Sequence, residues 1–236
     1  MAFNFSRQTL RRALLTTLAA ASLVACGAPG ASADVAPPSK LPAPTMDEPQ
    51  VGLQTAVLSG GCFWGIQGVF EHVKGVKQVL AGYAGGDGMT AHYEIVSTGT
   101  TGHAESVKIT FDPKQISYGE ILRVFFSVGT DPTQTGGQFP DEGTQYRGEV
   151  WAMDNGQAAV AKRYIDQLNA AHVFRHPITT RIDRYRGFFP AEGYHQNYLV
   201  NHPEQPYIAT YDLPKVAALK TLFPEDYRPD PVLAPI

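Results

Sequence analysis

The 236-residue sequence predicts one mixed domain, α+β or α/β, in which helices cover a layered sheet. Three observations carry this. Apolar residues make up 43% of the chain and charged residues 17%, a balance that can bury one sizeable core. Segments of period two alternate with segments of helical period. Beyond the N-terminus, no internal repeat, charge run or long apolar stretch breaks the pattern. A net charge of -3 gives no electrostatic reason to expect nucleic acid or a broadly anionic partner.

The first 26 residues read as a targeting segment and are set apart from the fold. Arg7, Arg11 and Arg12 precede a short apolar stretch from Ala13 to Ala25, too short to span a bilayer stably. It ends in Leu23-Val24-Ala25-Cys26-Gly27, which resembles a bacterial lipoprotein signal with Cys26 as the lipidated residue. A competing cleavage site, Ala31-Ser32-Ala33, would release a soluble periplasmic protein. Both readings predict export, and the first predicts a periplasmic or envelope lipoprotein held by N-terminal lipid only. Residues 27–52 are rich in Ala, Pro and Ser and predict a flexible tether. The folded domain is expected over residues 53–230.

Thr55 to Ser59 reads as a strand that ends in Gly60-Gly61. Cys62, Phe63 and Trp64 follow, and Ile66, Val69, Phe70 and Val73 then recur at helical spacing until Gly75. Val76 to Tyr83 predicts a strand, and Ala84 to Gly88 a loop. Ser106 to Phe111 alternates around Val107 and Ile109. Ser117 and Glu120 form a capping-box pattern ahead of Ile121, Leu122, Phe125 and Phe126. Asp131 to Gly143 is a polar loop leading into a strand at Gln145–Met153. Asp154 and Gln157 start a helix to about Ala170, and Ile178 to Tyr185 alternates again. Short helical patterns close the chain at Glu192–Asn201 and Pro214–Phe223. Loops 84–92 and 131–144 are long for plain connectors, which makes them candidate site walls.

The order strand, Gly-Gly, Cys62, helix places a thiol where unpaired helix N–H groups favour an anion. It predicts a Cys62 pKa well below the free value of about 8.5, in the range of roughly 3.5–7.5. If Cys26 is lipidated or removed, Cys62 is the sole thiol of the mature domain and no intramolecular disulfide can form.

Six motifs in order carry a specific resemblance: Gly61-Cys62-Phe63-Trp64-Gly65, Gly82-Tyr83-Ala84-Gly85-Gly86, Tyr93, Thr101-Gly102-His103-Ala104-Glu105, Gly143-Thr144-Gln145-Tyr146-Arg147 and Tyr194-His195-Gln196-Asn197-Tyr198. Over roughly residues 54–228 the sequence resembles the A-type peptide-methionine (S)-S-oxide reductases. The resemblance implies an α+β fold: a single two-layer α/β sandwich, its mixed sheet covered by helices as a ferredoxin-like plait. Long active-site loops and an extended C-terminal tail would complete it.

It further implies Cys62 as the nucleophile on the sulfoxide sulfur and Glu105 as the general acid that protonates the oxygen. Phe63 and Trp64 would wall the S-methyl group, Tyr93 and Tyr146 would donate to the oxygen, and Asp141 would support the polar side. The products would be methionine and a Cys62 sulfenic acid. Read alone, each residue has a plainer meaning: Glu105 an exposed carboxylate, Tyr93 and Tyr146 packing residues, Asp141 a turn residue, Phe63 and Trp64 core aromatics. His103 reads as a local hydrogen-bonding residue, and His195 and Gln196 as structural support.

Many members of that family carry further cysteines near the C-terminus, whereas Tyr207 to Arg228 contains none. This resembles the single-cysteine form. The expectation is a monomer with no bound cofactor or metal, acting on oxidised proteins. Its sulfenic acid would be reduced by an external thiol, namely a thioredoxin-like protein, glutaredoxin or a small thiol. A thiol peroxidase or hydrolase using the same cysteine, and a lipoprotein binding module with an inert one, are the competing readings.

Overall fold

A computed structural model of the chain describes residues 1–2 and 35–235. The targeting signal, Cys26 and the Ala33 cleavage site lie outside the described residues. The chain divides into two units, Met1–Ala33 and Asp34–Ile236. No described helix is long and apolar enough to cross a membrane.

The strands are β1 (Gln54–Ser59), β2 (Val76–Ala84), β3 (Ala104–Phe111), β4 (Gly137–Gln138), β5 (Asp141–Glu142), β6 (Glu149–Ala152), β7 (Arg181–Arg184) and β8 (Phe188–Pro190). The α-helices are α1 (Phe63–Glu71), α2 (Tyr93–Val96), α3 (Tyr118–Val124), α4 (Asn155–Ala170), α5 (Tyr198–Asn201) and α6 (Leu213–Leu222). The main sheet has the order β7-β6-β1-β3-β2-β8, and β4 pairs with β5 alone. Its four central strands, β6-β1-β3-β2, are antiparallel neighbours, with α1 connecting β1 to β2 and α3 lying between β3 and β6. This is the predicted ferredoxin-like plait. Parallel β7 beside β6 and antiparallel β8 beside β2 extend it and make the sheet mixed.

Strand alternation sorts the two faces. Ala56, Leu58, Val107, Ile109 and Val150 join the main core with Ile66, Val69 and Phe70 of α1. Residues of the opposite parity, Val57, Ala104 and Trp151, form a smaller cluster on the other face. Glu105 shares its parity with Val107, so β3 turns it towards the face that α1 covers.

Local signals hold where they are self-contained. Ser117 Oγ accepts the Glu120 N–H at 3.3 Å, and Asp154 Oδ1 accepts the Gln157 N–H at 2.9 Å. Helix α1 begins at Phe63, not Ile66, because Phe63 is itself buried and starts the inner face. It ends at Glu71, ahead of Gly75. The strand expected over Gln145–Met153 is shorter, since Thr144–Tyr146 forms a 3-10 turn before β6.

The flexible tether is a correction for residues 35–47. Leu41 is 2% exposed within the main core. Around it, Arg123 Nε donates to Leu41 O at 2.7 Å and Tyr164 Oη donates to Pro42 O at 2.8 Å. Ala36 N–H donates to Asp131 Oδ2 at 2.7 Å, and the Asp47 carboxylate accepts from Gly119 N–H and from the Ser117 hydroxyl. Proline-rich sequence is extended, not necessarily loose, and one leucine is enough to seat it. The segment is a strap.

Candidate active site

Gly61 makes the turn that delivers the cysteine. Its φ is +100°, and a Cβ there would lie 2.8 Å from Gln138 Cβ, so the position needs glycine twice over. The chain then enters α1 with Cys62 as the N-cap residue. Cys62 is a free cysteine, 8% exposed.

Next to it, the Phe63 backbone N–H donates to Glu105 Oε2 at 3.0 Å. Glu105 is buried, and burial raises its pKa to about 8; the Phe63 N–H pulls it down, and the Asp141 and Asp212 carboxylates push it up. At neutral pH the group is a carboxylic acid. The expectation for Cys62 is overturned in direction: burial pushes the thiol well up, with Glu105 and then Asp212 adding to it. The Trp64 backbone N–H favours the thiolate as the helix start predicted, but a desolvated sulfur among carboxylates outweighs it. The resting pair is a thiol beside a carboxylic acid.

Aromatic rings enclose this pair. Phe63 is fully buried, its ring 5.1 Å from His195 and 5.9 Å from Tyr83. Trp64 is partly exposed, stacks on Tyr198 at 3.9 Å and meets Tyr207 edge-on at 6.2 Å. Tyr93, at the start of α2, puts its ring 4.4 Å from His195. Burial raises the hydroxyl pKa of both Tyr93 and Tyr146, with the Glu105 charge adding to each, and the Cys62 charge reaches both. Asp141 on β5 accepts a short hydrogen bond from the Tyr207 hydroxyl, and burial raises its pKa against that bond. Cys62, Phe63, Trp64, Tyr93, Glu105, Asp141 and Tyr146 therefore converge from four stretches of chain.

The histidines serve other groups. His103 Nδ1 accepts the Gly86 N–H at 3.2 Å, and its Nε2 lies 2.9 Å from Asp87 O. His195 Nδ1 accepts from Trp64 Nε1 at 3.1 Å. Gln196 bonds Gln67, Ala81 and Ala191, tying α1 to β2.

A family profile described as "Peptide methionine sulfoxide reductase" matches residues 54–226. The chain belongs to that family. It is 53% identical over 189 residues to "Peptide methionine sulfoxide reductase MsrA 2" of Mesorhizobium japonicum, covering 80% of this chain and 97% of the relative. It is 46% identical over 177 residues to the protein of the same name in Synechocystis sp., covering 75% and 83%. Two solved structures share the fold: Mxr1 from Saccharomyces cerevisiae in reduced form, at TM-score 0.59 and 29% identity over 67% of this chain and 91% of that one, and methionine sulfoxide reductase A of Corynebacterium diphtheriae, at TM-score 0.55 and 32% identity over 66% and 78%. This chain is thus an A-type reductase of peptide methionine sulfoxide.

Sequence reasoning missed the C-terminal contribution to the Cys62 site. Tyr207 closes the aromatic wall. Asp212 is fully buried, its Oδ1 accepting from Lys215 Nζ at 3.1 Å and its Oδ2 without a partner. Asp212 has the sequence look of a helix cap, standing before Leu213-Pro214, yet its side chain does not cap α6. It packs instead on α1, where a Cβ on Gly65 would come within 2.1 Å of Asp212 Oδ1. Its charge also reaches Cys62 and Glu105, which places Asp212 in the Cys62 region.

Proposed function

We propose that the chain reduces the S epimer of methionine sulfoxide in proteins through Cys62 and Glu105. The Cys62 sulfur attacks the sulfoxide sulfur while Glu105 gives its proton to the oxygen and takes up the thiol proton in exchange. The oxygen passes to Cys62, so the thiol and the sulfoxide become a sulfenic acid and methionine. Phe63 and Trp64 hold the methyl end, and the Tyr93 and Tyr146 hydroxyls, with pKa values raised by burial, stay protonated as donors to the oxygen. Asp141 orients the polar side through Tyr207. The observation that supports this most is the buried Glu105 carboxyl, protonated near neutrality and tied to the residue after the nucleophile.

Recycling falls to an external thiol. Cys62 is the only cysteine of residues 35–236, and the other cysteine of the chain is Cys26 in the targeting segment. Two thiol equivalents from a thioredoxin-like protein, glutaredoxin or a small thiol restore Cys62 and release water and a disulfide. The basic n-region, the short apolar run and Cys26 support export and anchoring by N-terminal lipid. An assay on the two separated epimers of a methionine sulfoxide peptide, with several thiol donors, tests this reading. Turnover of the S epimer alone is expected; equal turnover of both, or of neither, contradicts it.

A further inference from the structure

Beside the Cys62 site lies a second cleft of about 540 Å3, whose walls include Thr144, Arg147, Trp151, Arg181, Arg184 and Arg186. Its floor is already paired. Buried Glu149 receives Arg147 Nε at 2.5 Å and faces Arg181 at 3.8 Å, and Arg181 also meets Asp183 at 2.6 Å. Arg147 is held further by His103 O, Gly102 O and Thr144 O. Two guanidiniums are left over. Among the described residues, Arg184 and Arg186 have no ion pair or hydrogen bond, and both are exposed to the cleft. Four arginines against two carboxylates leave the cleft cationic, and burial raises Glu149 to about 7, which weakens its share of the opposing charge near neutrality.

The cleft is joined to the site by one short turn. Thr144–Tyr146 brings Tyr146 to Cys62 and Glu105, while Thr144 and Arg147 on either side of it line the cleft. The cleft therefore lies on the side of the site that Tyr146 occupies. Exposed Asp87, Glu94 and Glu142 near Tyr93 and Asp141 give other parts of the surroundings the opposite sign. A guanidinium fork matches a carboxylate in shape as well as charge.

We infer that the Arg184–Arg186 cleft is a substrate subsite that receives an Asp or Glu side chain near the oxidised methionine. This rests on the reductase reading of the Cys62 site. Three substrates test it with dithiothreitol as reductant, so that no protein reductant takes part. Two are peptides with one methionine sulfoxide flanked by Asp and Glu or by Lys; the third is N-acetyl-methionine sulfoxide, too short to reach the cleft. At low ionic strength the acidic peptide should lead the basic one by about 3–10-fold in kcat/KM, mostly through KM. Near 0.5 M salt, where the Debye length is only a few Å, the lead should shrink. Charge reversal by Arg184→Glu with Arg186→Glu should invert the preference, Arg184→Gln with Arg186→Gln should erase it, and all forms should turn over the short substrate alike. Equal kcat/KM for both peptides in the wild type, or a preference indifferent to these substitutions, overturns the inference. Inactivity of the wild type on all three substrates overturns the reductase reading with it.

Discussion

The backbone N–H of Phe63 donates to Glu105 Oε2 at 3.0 Å, so the residue that follows Cys62 holds the Glu105 carboxyl. One short contact thus fixes the relative position of a sulfur from the β1–α1 turn and a carboxyl from β3. Only the Oε2 atom is occupied by that bond. Burial keeps the group protonated up to about pH 8.

Glu105→Gln should therefore lower the reductase rate by roughly 10²–10⁴, the range of general acid catalysis, with a smaller change in KM. Under the proposed mechanism the active form is the protonated one, present below the raised pKa and lost above it. Single-turnover rates should fall as pH rises through about 8. That alkaline limb should be absent from the residual activity of Glu105→Gln.

Glu71 is the second buried carboxyl of the α1 region. Both its oxygens lack a partner, and burial raises its pKa to about 8. Its folded pKa stands above the unfolded value, so the folded state holds the proton more tightly. Stability should fall as pH rises from about 4.5 to 8, at about 1.4 kcal/mol per pH unit for this group. Denaturant titrations of wild type and Glu71→Gln across that window should show the slope reduced by that amount in the variant.

The strap makes its own prediction. Leu41→Ala should cost about 2–4 kcal/mol of unfolding free energy, the cost of a cavity in a packed core. A loose tether would give a change within about 0.5 kcal/mol. Chemical denaturation distinguishes the two.

Gly65 and Asp212 should be coupled. The Cβ of Gly65→Ala would press on Asp212 Oδ1 at 2.1 Å, an overpacking worth about 1–3 kcal/mol. In the Asp212→Ala background the same substitution should cost far less. A double-mutant cycle in thermal or denaturant stability measures the difference directly.

What the sequence made legible follows from range. Caps at Ser117 and Asp154 span three residues and are found where expected, and the layering of helices on a sheet follows from the order of strand-like and helical segments, whereas the plait itself came from the family resemblance. The Cys62 motif is readable because strand, glycines, thiol and helix are contiguous. Its pKa direction was not, because burial, the largest cause, is set by the tertiary fold, and the charges that add to it stand 43 and 150 positions away in Glu105 and Asp212. Tyr207 and Asp212 have no periodicity or motif that ties them to residue 62. Residues 35–47 misled for a different reason: composition reports how stiff or polar a segment is, whereas Leu41 and Asp47 dock it by long-range contacts.

Under the proposed mechanism Cys62 takes the sulfoxide oxygen and keeps it until a thiol arrives. A single-turnover reaction without reductant tests it most directly, with methionine quantified and Cys62 examined by mass spectrometry after dimedone. One methionine per enzyme and a dimedone adduct on Cys62 are expected. No methionine without added thiol, or undiminished turnover in Cys62→Ser, would contradict it.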